Sequence, residues 1–184
     1  MKRLVRAVLL AAGGISIAVA ATDTAPVSEW CIAGVCLGRT EQDLVGRYGA
    51  GGLFPESKPF EHCYQARGKS VYVTALLDDE DPARPITAVL LSGETVCRDA
   101  ATARVGPDRA GCRGVRLFDP VEKLSTVGAE KRQPRDKGYP WDGSPSEVSQ
   151  FDYRCEPEKT CSVMASAFVR GNTIIAVSIW EPDC

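Results

Sequence analysis

The sequence predicts an α+β protein of two tandem modules, each a short helical segment packed on a small antiparallel sheet and stapled by disulfides. Three observations carry this. A helix-start signal followed by a glycine stop occurs twice. Two strands with period-2 alternation follow it in each half. Eight cysteines are spread over both halves of the 184-residue chain. The expected boundaries are a signal peptide over 1–20, a first helix-plus-sheet module over 21–103 and a second over 104–184.

The N-terminal segment opens on Lys2, Arg3 and Arg6 and then runs apolar or small from Ala7 to Ala21. A short basic stretch, a dozen apolar residues and small residues at Ala18 and Ala20 make the secretory pattern, with cleavage expected after Ala20. Gly13 and Gly14 interrupt the run, which is short for a membrane anchor. Removing those three positive charges deepens the net charge from −2 to −5. That balance disfavours nucleic acid and anionic membranes as partners, and no stable membrane anchor is expected. The expected location is periplasmic or secreted.

In that compartment an even cysteine count reads as a disulfide framework: Cys31, Cys36, Cys63, Cys97, Cys112, Cys155, Cys161 and Cys184. Two local pairings suggest themselves, Cys31 with Cys36 across Ile-Ala-Gly-Val and Cys155 with Cys161 across Glu-Pro-Glu-Lys-Thr. No C-x-x-C occurs and His62 is the only histidine, so neither a zinc site nor a thioredoxin-like role is expected.

The repeat begins at Gly34-Val35-Cys36-Leu37, which recurs as Gly114-Val115-Arg116-Leu117. Thr40 with Asp43 predicts a capped first helix, and Asp119, Pro120 and Glu122 a capped second one. Gly49 and Gly128 are the expected stops. The loops Ala50–Glu61 and Ala129–Val148 follow, rich in Pro, Gly and charge. The strand Ser70–Leu77 then aligns with Ser162–Val169, and Ile86–Leu91 with Ile174–Ile179. In this alignment Cys63 falls on Cys155, Cys97 and Cys184 close the copies, and Cys31 and Cys112 open them. Alternation assigns Val71, Val73, Ala75 and Leu77, with Val163, Ala165, Ala167 and Val169, to the core face.

The opposite face carries Tyr72, Thr74 and Leu76 in one copy and Met164, Ser166 and Phe168 in the other, too apolar for a solvated sheet face. Tyr72, Leu76, Met164 and Phe168 are therefore candidate binding residues, or are buried between the modules. Tyr139 and Trp141, in a Pro/Gly loop, are candidate interface anchors or cover for the sheet edge. The acidic run Asp78–Asp81 lacks calcium-loop spacing and reads as a hairpin loop. His62 beside Cys63 reads as structural, because no catalytic serine motif or second histidine accompanies it.

The stretch Gly38-Arg-Thr40-x-x-x-Leu44-x-x-x-Tyr48-Gly49 resembles the helix of the SmpA/OmlA (BamE)-like modules. Two such modules in an exported chain resemble the beta-lactamase inhibitor protein (BLIP-like) family. The second copy departs from the motif, with Phe118-Asp119-Pro120 in place of Gly-x-Thr. The resemblance implies a pair of helix-plus-sheet modules gripping a protein target on a concave surface. The expected function is a non-enzymatic protein-binding protein without cofactor or metal. It would act as an inhibitor or immunity protein on an envelope or secreted enzyme. The alternative is a structural module of an outer-membrane assembly.

Overall fold

A computed structural model describes residues 30–52, 61–66, 72–78, 80–94, 101–103, 112–132, 148–159 and 162–181. Among these residues ten strands and one α-helix form in the order β1 (Cys31–Ile32), β2 (Val35–Cys36), α1 (Glu41–Tyr48), β3 (Glu61–Ala66), β4 (Tyr72–Leu77), β5 (Ile86–Ser92), β6 (Ala101–Ala103), β7 (Glu130–Lys131), β8 (Val148–Arg154), β9 (Met164–Arg170) and β10 (Thr173–Trp180). A 3₁₀ segment, Val121–Val127, precedes β7.

The strands do not make two separate small sheets. Apart from the β1–β2 hairpin they join one eight-stranded sheet in the order β6-β3-β4-β5-β10-β9-β8-β7. The seam is the antiparallel pair β5–β10, the last long strand of each half. Its register is symmetric about Leu90–Ser178: Ser92 faces Ala176 and Trp180 faces Ala88, while Leu91 faces Val177 and Ile179 faces Val89.

Other backbone features recur around that pair. A register shift leaves Thr87 out of the β4–β5 ladder, and another leaves Ile175 out of β9–β10 at the matching place. Gly38 N–H donates to Ile86 O, and Phe118 N–H to Ile174 O, both at 2.8 Å. Glu41 N–H donates to Arg84 O as Val121 N–H does to Asn172 O, both at 3.0 Å. Ala33, Gly34 and Gly38 have positive φ, as do Arg113, Gly114 and Phe118 at the equivalent places.

The described cysteines of the two halves do not follow this register. Tyr64 stands opposite Val73 and Tyr153 opposite Ala165, so β3 and β8 match at their tyrosines. Cys63 then matches Asp152, and Cys155 matches Ala66. The hairpin turns place Ile32, rather than Cys31, at the position of Cys112. Among described cysteines the bonds are Cys31–Cys36, as the spacing suggested, and Cys112–Cys155, so the local Cys155–Cys161 pairing is overturned. Cys63 is also disulfide-bonded. Cys97, Cys161 and Cys184 lie outside the described residues.

Helix α1 forms where the capping chemistry is complete. Thr40 Oγ1 accepts from Asp43 N–H, and Asp43 Oδ2 accepts from Thr40 N–H. The helix buries Leu44 and stops at Gly49. The second expected helix forms only as 3₁₀, with Pro120 at its cap position and no side-chain cap. Asp119 instead accepts from Arg116 N–H at 2.9 Å, tying the preceding turn and leaving the helix N–H groups to other partners.

One contiguous core lies between the sheet and these segments. Ile32, Val35 and Leu37 with Leu44, and Val115 and Leu117 with Leu124 and Val127, pack on Val73, Ala75, Val89, Leu91, Ala165, Ala167, Val177 and Ile179. The core face expected from alternation is thus observed at every described position. Strand β1 touches both β5 and β10, so the hairpin sits over the seam. Among the described residues no helix is long and apolar enough to cross a membrane. The disulfides fit an oxidising, extracytoplasmic compartment.

Candidate functional site

The face of the sheet away from the helix is a lattice of three cross-strand rows on β4, β5, β10 and β9. They read Leu76-Ala88-Trp180-Met164, Thr74-Leu90-Ser178-Ser166 and Tyr72-Ser92-Ala176-Phe168. Side chains alternate across a strand, so all twelve share this face. The inner strands carry small residues apart from Leu90 and Trp180, and the flanking strands carry Tyr72, Leu76, Met164 and Phe168. Tyr72, Leu76, Met164 and Trp180 are half-buried, while Thr74, Leu90, Ser92, Ser166, Phe168, Ala176 and Ser178 are buried.

Four of the expected binding residues therefore come together here. Phe168, at 5% exposure, belongs to a second small core with Leu90, Ile175 and Ala176, and is not offered as a contact. Tyr139 and Trp141 lie outside the described residues. Trp180 was missed, although its signal is legible. The alternation of β10 continues past Ile179, and Trp180 falls opposite Met164.

A polar network holds the second half of the face. Ser166 Oγ donates to Asp152 Oδ1 at 2.7 Å and accepts from Trp180 Nε1 at 3.2 Å. Gln150 Nε2 donates to the same carboxylate at 2.9 Å, and Arg132 Nε pairs with Asp152 Oδ2 at 2.6 Å. Ser166 gives its proton to a carboxylate that two other groups, Gln150 and Arg132, already engage. The network ties the Trp180 ring to β8 and β9.

On the core side, His62 is clasped. Gly51 N–H donates to Nδ1 at 3.4 Å, which assigns the proton to Nε2, and that nitrogen donates to Glu41 Oε1 at 2.7 Å. Glu41 Oε2 pairs with Arg84 Nη1 at 2.5 Å. Both ring nitrogens are occupied, so His62 links β3, the start of α1 and the β4–β5 turn. In that turn Asp78 and Asp81 accept from Glu80 and Ala83 N–H groups, the bonds of a hairpin loop. Among the described residues no group of acidic, cysteine or histidine side chains is placed to hold a metal.

Two buried phenols complete the inventory. Tyr64 donates to Gly49 O at 2.9 Å. Burial, reinforced by the Glu41 charge and by Tyr48, pushes its pKa up to about 12. Tyr153, its counterpart in β8, is also pushed up by burial, against the opposing charge of Arg113. Its hydroxyl finds no hydrogen-bond partner.

Phe118 is the exposed large apolar residue among those described, at 53%, and it holds a φ of 71°. That conformation is uncommon for a bulky residue, and the first half uses Gly38 there. The Phe118 ring lies over Gly93, where an added Cβ would come within 2.5 Å of it. The sequence marked Phe118 only as a departure from a motif. Comparison of the chain with family models, curated proteins and solved structures finds no match.

Proposed function

We propose that the chain is an exported, non-enzymatic protein-binding protein. In this reading two copies of one small module are fused through β5 and β10 into a single sheet, which holds a partner protein on its outer face. The observation that carries the proposal is the outer lattice. Tyr72 and Leu76 from one half, and Met164 and Trp180 from the other, keep part of their large apolar surface accessible around a floor of buried side chains. Half-buried aromatic and thioether groups held over a buried floor make anchoring contacts at little cost in side-chain ordering. The matching bulges, positive-φ positions and backbone bonds support the duplication. Phe118 adds an exposed aromatic whose backbone conformation is stabilised by the surrounding bonds.

The narrower form is an inhibitor or immunity protein for an envelope or secreted enzyme, acting in the periplasm or outside the cell. The test uses the mature protein as bait against an extracytoplasmic fraction, with the partner identified by mass spectrometry. Affinity is then measured by calorimetry for Tyr72→Ala, Met164→Ala and Trp180→Ala. At least two of them should weaken binding by about tenfold or more, at unchanged far-UV circular dichroism. Wild-type affinity in all three would remove the face from the proposal.

A further inference from the structure

We propose that the Cys31–Cys36 bond is a thiol–disulfide exchange site, opened by a dithiol reductant while the rest of the fold persists. Exchange needs a thiolate to reach one sulfur, so access selects among disulfides. Cys31 is exposed and Cys36 half-buried, whereas Cys112 and Cys155 are 9% and 7% exposed and Cys63 is at 0%. The Cys31–Cys36 bridge also spans only 5 residues against 43 for Cys112–Cys155, so opening it releases far less chain.

The hairpin does not depend on the bridge. Ile32, Val35 and Leu37 are each buried to 1% exposure or less under the sheet. Leu37 N–H donates to Trp30 O at 3.0 Å, and the Tyr48 hydroxyl donates to Gly34 O at 2.9 Å. The second half makes the same positive-φ turn at Arg113-Gly114, with Arg116 standing where Cys36 stands in the first. That turn has no bridge across its own ends, its Cys112 bonding instead to Cys155 in β8, so the positive-φ turn does not require a local disulfide.

In the reaction, one thiolate of the reductant attacks Cys31 Sγ. The S–S bond breaks, and Cys36 leaves as a thiolate that takes a proton from water. The second thiolate of the reductant attacks the reductant's own sulfur in the mixed disulfide and releases Cys31 as a thiolate, which also takes a proton from water. Two electrons pass to the protein, and the reductant leaves oxidised.

The exported full chain is exposed briefly to dithiothreitol, quenched with acid, alkylated and mapped by mass spectrometry. Cys31 and Cys36 should be labelled about tenfold or more faster than Cys112 and Cys155, with the near-UV circular dichroism unchanged. Equal or slower labelling overturns the proposal, as does loss of the near-UV signal when this bond opens. The double variant C31S/C36S supplies the second measurement. It should keep the native near-UV spectrum, and an unfolded variant refutes the claim that the fold persists.

Discussion

Replacing Tyr64 and Tyr153 by Phe removes one oxygen from equivalent places in the two halves, with opposite expected signs. Tyr64 is fully buried and donates to Gly49 O, the carbonyl that follows α1. Tyr64→Phe loses that bond, worth about 1 kcal/mol net, and leaves the Gly49 carbonyl short of a donor. Gly49 is exposed, so water recovers part of that loss. The expected cost is about 1–1.5 kcal/mol. Tyr153 is 3% exposed and its hydroxyl has no partner, so the folded state already carries its desolvation. Tyr153→Phe removes that burden and should be neutral or stabilising by up to about 1 kcal/mol. Urea unfolding with the disulfides intact measures both. With a slope of about 2 kcal/mol per M, the Tyr64 variant should lose roughly 0.5–0.75 M in midpoint at unchanged slope. A Tyr153 variant that loses as much as the Tyr64 variant would refute the reasoning.

The same phenols predict an alkaline limit. The Tyr64 pKa rises from its ordinary 10.0 to about 12 in the folded chain, so above pH 10 the unfolded state loses the proton first. Stability is then complete below pH 10 and falls through pH 12, at up to about 1.4 kcal/mol per pH unit for that group. Absorbance titration should show Tyr64 and Tyr153 ionising above the ordinary tyrosine value of 10.0, in step with unfolding. Thr40→Ala should cost about 1 kcal/mol by breaking the α1 capping box, while Asp119→Ala should leave the cap energetics of the second segment untouched and cost only its Arg116 turn bond; helicity and urea midpoints separate the two. Gly93→Ala should push the exposed Phe118 ring aside at a cost of about 0.5–1.5 kcal/mol, and Phe118→Gly should suppress that cost. Independent costs in the double-mutant cycle would contradict the contact.

What could be read in the sequence is what local chemistry decides. The alternation of Val73, Ala75 and Leu77, and of Ala165, Ala167 and Val169, placed the core face correctly, because a one-residue slip would turn every one of them to the other side. Thr40, Asp43 and Gly49 marked α1 through bonds closed within ten residues. Asp119 misled for the same reason: a short acidic side chain serves a turn or a helix start equally well, and here the turn wins. The binding residues Tyr72, Leu76 and Met164 were assigned to one face by alternation, but their meeting depends on the seam. No residue of β5 or β10 announces that pairing. It is non-local, chosen because each half has an open edge at its last long strand and the β1–β2 hairpin covers both. The cysteines were the least reliable guide to register. A sulfur pair is constrained only by its own geometry, so Cys112–Cys155 joins positions that the first half fills with Ile32 and Ala66, both buried. A backbone hydrogen bond is constrained by the strands on both sides of it. Such bonds, rather than the cysteines, keep the two halves in step, and they bring Trp180 beside Met164 on the face proposed to bind.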